Sequence, residues 1–351
     1  MVLALHRAFP EAPLYTTLYE PRTSYPEFRD IPIRTSWLNH LSFFRRNHRL
    51  ALPLLPLAAQ SIRIPAACTI ASSSGWAHGF ATTGSKIVYC YSPARWLYQT
   101  DAYLGSAGRL RRLLLEVLKP WMKRWDRRKA HTATTYFAIS SVVQERIKDT
   151  YGIDAEVLPA PHSIDAEAEQ EPVELDGFED EAFFLCISRL LPYKNVDKVV
   201  EAFRELGLPL VVVGAGPEER RLTESAPGNV RFRKDLTDAQ IRWLYSRCSA
   251  VVSASFEDFG LTPIEAATFG KPSIVLRWGG FLDTIVEGTT GVYFDAPEAT
   301  LIARAVREHS TRRWDGDLLR AHARTFGEEH FARRLRREVE RLTATPHSET
   351  E

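Results

Sequence analysis

Apolar and polar positions follow two rhythms along this chain, and the rhythms are clearest after residue 182. Residues 183–188 form a short apolar run of the kind buried in a parallel sheet. Residues 196–206 carry Val196, Val199, Val200 and Phe203 at helical spacing. Further strands are predicted at 208–213, 230–232, 250–253, 271–276 and 291–294. Helices are predicted from the Gly214-Ala215-Gly216-Pro217 turn through residue 222, at 238–248 and at 262–269. This alternation from 183 to 294 predicts a parallel sheet with helices on both faces.

The earlier half is less regular. Strands are predicted at 12–19, 68–72, 86–91 and 135–139, with a long helix over 107–129. Residues 1–9 read as the tail of a helix that leads into Leu14-Tyr15-Thr16. A doubly wound domain ordinarily opens on a strand and a glycine turn. A first strand and its loop are therefore expected ahead of Met1. An upstream in-frame start codon would support this, and an in-frame stop directly before Met1 would overturn it.

A length of 351 residues suggests two domains. Between Asp165 and Glu181 there are nine acidic residues and no basic one, with Pro172 and Gly177 among them. This stretch reads as a connector. The expected organisation is a first domain at 1–165, a connector at 166–182, a second domain at 183–325, and a helix and tail at 326–351.

Hydrophobic residues make up 44% and charged residues 25%, the profile of a soluble globular protein. A net charge of +1 argues against nucleic acid as a partner. Cys68, Cys90, Cys186 and Cys248 are widely spaced and form no metal-binding pattern, which fits reduced, mostly buried thiols in the cytoplasm. No apolar run approaches the ~20 residues that span a bilayer. The longest, 50–59, is broken by Pro53 and Pro56. Residues 109–129 hold nine Lys and Arg and two acids, with Leu110, Leu113, Leu114, Val117, Leu118, Trp121 and Trp125 at helical spacing and an interruption at Pro120. Two readings stay open: a core helix with a solvated basic face, or a peripheral contact with anionic lipid on the inner face of a membrane. Neutralising Arg111, Arg112, Lys123 and Arg124 together would separate them.

In open α/β sheets, ligands bind at the carboxyl ends of the strands. There the sequence places Arg189 and Lys194, then Gly214 and Gly216, then Glu257, Phe259, Gly260 and Glu265, then Gly279-Gly280. Cations and helix N-termini suit a diphosphate. Carboxylates accept from ribose and sugar hydroxyls. Each element also has a plainer reading. Arg189 and Lys194 serve equally as surface charges. The Gly214 turn serves as a tight entry to a helix with Pro217 at its first position. Thr262-Pro263-Ile264-Glu265 has the spelling of a capping box, whereas Glu257 has no capping role. Asp315-Gly316-Asp317 spells a metal-binding pair but reads as a solvated helix start.

Arg189…Lys194, GAGP, LTDAQIRWLYSRCSAVVSAS, EDFGLTPIEAATFGKPSIV and GGFLDTIVEGTTGVYF together resemble the nucleotide-binding half of a GT-B glycosyltransferase, in particular the retaining family 4. FPEAPLYTTLYEP, SSSGWAHG, VYCYSPARWLY, YLG, KRWDRRKA, FAISSVVQERIKDTYG and LPAPHSID resemble its mannosyltransferase-like branch. The resemblance implies an α/β fold of two Rossmann-like doubly wound domains facing a cleft, the first on the acceptor side and short of its opening strand. It implies a retaining transfer of a hexose, with mannose from GDP-mannose the first to test, onto a glycan or lipid-linked glycan. Neither metal nor cofactor is implied. Arg189 and Lys194 would hold the diphosphate, Glu265 the ribose, and Glu257 a hydroxyl of the donor sugar. The backbone at Phe259, Gly260 and Leu261 would approach sugar and phosphates, with Gly214 and Gly216 lining the nucleotide. Phe232 and Arg233 would border the base, and His78 would contact the donor sugar from the first domain.

Three positions depart from the family pattern. The first strand and its loop are not present. Tyr91 stands where relatives have histidine in Cys-His-(Ser/Thr)-Pro. Lys234 stands where glycine is common. A catalytically impaired binding or scaffold subunit is therefore the alternative.

Overall fold

Among the described residues, the strands before residue 160 are β1 (Leu14–Thr16), β2 (Ile33–Thr35), β3 (Arg63–Ile64), β4 (Cys68–Ser73), β5 (Ala81–Thr82), β6 (Ser85–Cys90), β7 (Thr135–Ala138) and β8 (Glu156–Val157). In this computed structural model, which describes residues 1–99, 109–178 and 182–344, they form a parallel sheet in the order β4-β6-β7-β8 and two small parallel pairs, β1-β2 and β3-β5. All six residues of β6 are buried, as a central strand covered on both faces requires. The helix Val2–Ala8 precedes β1.

The basic helix runs from Arg109 to Ala130 and passes through Pro120. The interruption expected there is not formed. Pro120 lies exposed, where water can satisfy the carbonyl left without an amide. The side chains of Arg111 and Arg112 lie outside the described residues, as do residues 103–105 of the YLG motif.

The chain divides into two compact units, Met1–Pro159 with Phe331–Glu351, and Ala160–His330. The stretch 166–182 thus falls in the second unit. Its Val173, Leu175 and Phe178 are buried against Phe183, Leu244 and Tyr245. Acidic residues between those apolar anchors account for its linker-like composition.

The second unit holds β9 (Phe184–Ile187), β10 (Leu210–Val213), β11 (Val230–Arg233), β12 (Ala250–Ser253), β13 (Ser273–Leu276) and β14 (Gly291–Phe294). They form one parallel sheet in the order β11-β10-β9-β12-β13-β14. Successive residues point to opposite faces. Phe184, Cys186, Val212 and Val252 enter one apolar layer, while Leu185, Val211, Val213 and Val251 enter the other. The helix Val196–Leu206 buries Val196, Val199, Val200, Ala202 and Phe203, and Gly207 ends it in the left-handed region at φ 66°. All four cysteines are free thiols, three of them buried. No helix among the described residues is long and apolar enough to cross a membrane.

Candidate functional site

The path through the second sheet dictates where a ligand can approach. From β9 the chain steps outward to β10 and β11, then returns to the other side of β9 with β12. The strand order reverses there, and the crevice outside the carboxyl ends of such a pair is the usual binding position of an open α/β sheet. Arg189 and Lys194 follow β9, while Glu257, Phe259 and Gly260 follow β12.

The two loops are joined by several bonds. Lys194 ends the short turn Pro192–Lys194 and is 7% exposed. Asn195 turns the chain at φ 52°, and its Nδ2 donates to the Ala254 carbonyl at 2.8 Å. The Lys194 ammonium forms an ion pair with Oε1 of Glu257. The same oxygen accepts from the buried Ser255 hydroxyl at 3.0 Å. Lys194 Nζ also lies 5.0 Å from the Tyr193 ring centroid, and Arg189 Nη2 donates to the Tyr193 hydroxyl at 3.2 Å. Lys194 and Glu257, given separate ligand groups on the sequence, thus touch each other. An ammonium has three donors and a carboxylate two oxygens, so both keep capacity for a ligand.

The helix after β12 spans Leu261–Thr268. The capping box expected of Thr262 and Glu265 is not formed. Gly260, at φ 85°, starts the helix ahead of Thr262, and no side chain caps it. A Cβ at residue 260 would stand 2.5 Å from the Phe281 ring. Phe259 is buried, so it offers its backbone alone, while Leu261 is exposed. Glu265 accepts a hydrogen bond at Oε2 from the Tyr245 hydroxyl at 2.6 Å. Burial raises the Glu265 carboxyl above its ordinary range, opposed by that bond. Burial, and then the Glu265 charge, push Tyr245 well above the usual phenol.

Gly214 and Gly216 are required by close approach. A Cβ at 214 would fall 1.9 Å from the Ser188 carbonyl oxygen, and one at 216 would fall 2.4 Å from that of Leu190. The loop after β10 therefore lies against the segment that carries Arg189. Pro217 does not begin a helix, since the next one spans Glu219–Glu224. Likewise a Cβ at Gly280 would meet Phe259 Cα at 2.2 Å, and Gly280 N donates to the Glu257 carbonyl at 3.0 Å. Phe232 packs partly buried against the core. Arg233 is held by the Glu174 carbonyl at 2.9 Å and by Asp176 at 2.7 Å. Lys234 pairs with Glu219 at 2.5 Å.

In the first unit, the expected loop histidine lies in the interior. His78 sits in the turn Ala77–Gly79 and is 2% exposed. Its Nδ1 is 3.2 Å from Ser73 Oγ and its Nε2 is 2.9 Å from Asp126 Oδ1. Asp126 is fully buried and accepts from Tyr98 at 2.8 Å and Tyr151 at 2.7 Å. Lys86 Nζ donates to the His78 carbonyl at 2.9 Å. Tyr91 shares a 2.7 Å hydrogen bond with Ser72, and burial lifts its phenol to about 12.

Sequence reading missed Asp126, Tyr245, Asn195 and Ser255. A carboxylate inside Lys123-Arg124-Trp125-Asp126-Arg127-Arg128, next to an apolar position, was the available signal for Asp126. Asp315 caps the helix Gly316–Arg324 through the amides of Asp317 and Leu318, the helix start read from the sequence. Among the described residues no group of three or more His, Cys, Asp or Glu is placed to hold a metal ion.

Comparison with known proteins agrees with this geometry. Residues 167–325 match the family Glycosyl transferases group 1. The chain is 28% identical over 212 residues to D-rhamnosyltransferase WbpZ of Pseudomonas aeruginosa, covering 56% of this chain and 54% of that protein. The chain therefore spans only about half the length of that relative. It is 25% identical to the alpha-1,3/1,6-mannosyltransferase ALG2 of Homo sapiens, over 97% of this chain and 91% of the relative. Sucrose-phosphate synthase from Thermosynechococcus elongatus shares the fold at a TM-score of 0.70 and 19% identity, covering 98% of this chain and 92% of that one. Anabaena Alr3699/HepE in complex with UDP does so at 0.69 and 15%, covering 97% and 95%. By strand order and matched residues, positions 167–325 form a glycosyl transferases group 1 region, and the chain carries the fold of those solved GT-B structures.

Proposed function

We propose that the chain is a retaining, metal-independent hexosyltransferase that uses a nucleoside-diphosphate sugar. The observation that carries this is the pair of glutamates at the β9–β12 reversal. Each gives one oxygen to the protein, Glu257 to Lys194 and Ser255, Glu265 to Tyr245. Each keeps the other for a ligand hydroxyl. The acceptor hydroxyl attacks the anomeric carbon as the bond to the nucleoside diphosphate breaks, its proton passes to the departing phosphate oxygen, and these events occur on one face of the sugar. Arg189 and Lys194 stabilise the negative charge that builds on the diphosphate, the task a metal ion performs elsewhere. Glu257 holds a sugar hydroxyl and Glu265 the ribose.

GDP-mannose is the donor to test first. A relative 25% identical over 59% of both chains is named a GDP-mannose-dependent phosphatidylinositol monomannoside mannosyltransferase. UDP-sugars come next, because HepE is described with UDP. The acceptor is a glycan or lipid-linked glycan. Peripheral contact with anionic lipid is supported by exposed apolar side chains on the first unit. Trp37, Leu41, Phe43, Leu57, Val117 and Trp121 are among them. No carboxylate occurs from residue 31 to residue 100. Tyr91 in place of histidine favours a second reading, a binding subunit without turnover.

A donor screen with metal chelated tests the proposal. Nucleoside diphosphate should be released, and release should be lost in Arg189→Ala and Glu265→Ala. Donor binding without turnover would establish the binding subunit. Flotation with phosphatidylglycerol vesicles, against phosphatidylcholine alone, tests the lipid contact. Equal recovery with both would remove it.

A further inference from the structure

We infer that Tyr245 is a positioning residue that sets the Glu265 carboxylate for the two ribose hydroxyls, and so fixes the preference for a ribonucleotide. This rests on the ribose role of Glu265 proposed above. Tyr245 lies in the helix Asp238–Arg247, on the crossover between β11 and β12, and is 0% exposed. Its ring stacks on Phe269 with centroids 5.6 Å apart and planes at 14°. A phenylalanine would satisfy that packing. The hydroxyl is a separate requirement, because a buried phenol needs a hydrogen-bond partner. Glu265 Oε2, at 2.6 Å, is that partner.

The terminal torsion of a glutamate is soft, so its carboxylate plane is poorly defined by packing alone. A donor fixed on one oxygen removes that freedom. Vicinal hydroxyls present two donors, and the remaining Oε1 has two lone pairs for them, which it meets when fixed and only part of the time when rotating. Tyr245 comes from a different helix than Glu265, so the constraint is tertiary and belongs to the assembled sheet. The hydroxyl also keeps the half-buried carboxylate an acceptor, since a bond to the charged form opposes the desolvation that favours protonation.

The test is calorimetric titration of the full chain with GDP and UDP, each against its 2′,3′-dideoxy counterpart. The chains compared are wild type, Tyr245→Phe, Glu265→Gln and the double variant. Tyr245→Phe should lower the ribo-to-dideoxy affinity ratio about tenfold, the size of one charge-assisted hydrogen bond. Adding it to Glu265→Gln should change the ratio no further. An unchanged ratio in Tyr245→Phe, with or without a lower melting temperature, overturns the inference, as does full additivity in the double variant. An unchanged ratio in Glu265→Gln sinks the ribose role itself. Failure of wild type to bind either nucleotide sinks the donor reading and this inference with it.

Discussion

The two units differ in charge and in how they use polar side chains. The first holds 26 Lys and Arg against 15 Asp and Glu, a surplus of 11. The second holds 19 against 29, a deficit of 10. The chain's net charge of +1 conceals this division. Each unit also buries a histidine. His78, in the basic unit, meets a buried carboxylate and a hydroxyl. His309, in the acidic unit, has no hydrogen-bond partner at either ring nitrogen among the described residues. It stacks on Trp314 instead, at 5.5 Å. In the first unit, the polar candidate is enclosed, with a carboxylate 2.9 Å from its Nε2. In the second, the polar candidates gather at strand ends with capacity left over. A residue's charge thus says less about its task than where the fold places it.

Breaking the first half of that contrast should have the largest effect. Asp126→Ala strands His78, Tyr98 and Tyr151 in the interior and should cost about 4 kcal/mol of stability, read by urea unfolding. A variant as stable as wild type would show that the cluster is not structural. The second histidine gives a pH test. Burial pushes His309 down to about 4, from an ordinary 6.5. The unfolded chain therefore takes up a proton that the folded one refuses. Stability should fall as pH drops from about 6.5 to about 4, by about 3 kcal/mol. His309→Phe should flatten that part of the profile, and an unchanged slope would refute the assignment.

On the site side, Lys194→Ala should lower kcat about 100-fold, about 2.7 kcal/mol of transition-state stabilisation. Its unfolding midpoint should move far less than that of Asp126→Ala. Similar losses of stability in both would erase the contrast between the units. The smallest effect sharpens the geometry at Gly260. Thr262 is not a helix cap, so Thr262→Ala should change stability by less than about 0.5 kcal/mol, against about 1 kcal/mol for a true cap.

Much of the second unit was legible in the sequence. The helix Val196–Leu206 and the strands Ala250–Ser253 and Gly291–Phe294 begin and end where periodicity puts them. The strands are almost wholly buried and the helix buries one regular face, so the pattern is clear in each. The first unit was harder. Pairing of Leu14–Thr16 with Ile33–Thr35 rests on three residues per strand, too few to show a period. At the site, strand ends located Arg189, Lys194, Glu257 and Glu265. Their mutual bonds were not legible. Lys194 and Glu257 stand 63 residues apart, and Tyr245 and Glu265 stand 20 apart. Such contacts depend on strand order, which spacing along the chain does not encode. The burial of His78 was not legible for the same reason, since the carboxylate 2.9 Å from its Nε2 comes from a distant helix.

The glycines around the β9–β12 reversal bear on how this protein can change. At 214, 216 and 280 any side chain would strike neighbouring backbone, and at 260 it would meet the Phe281 ring. Single substitutions at these four points are therefore closed as routes to a new substrate. Adaptation must instead run through outward positions such as Tyr193 and Leu261, both of which are exposed. Variation at those rims would leave the loop framework intact.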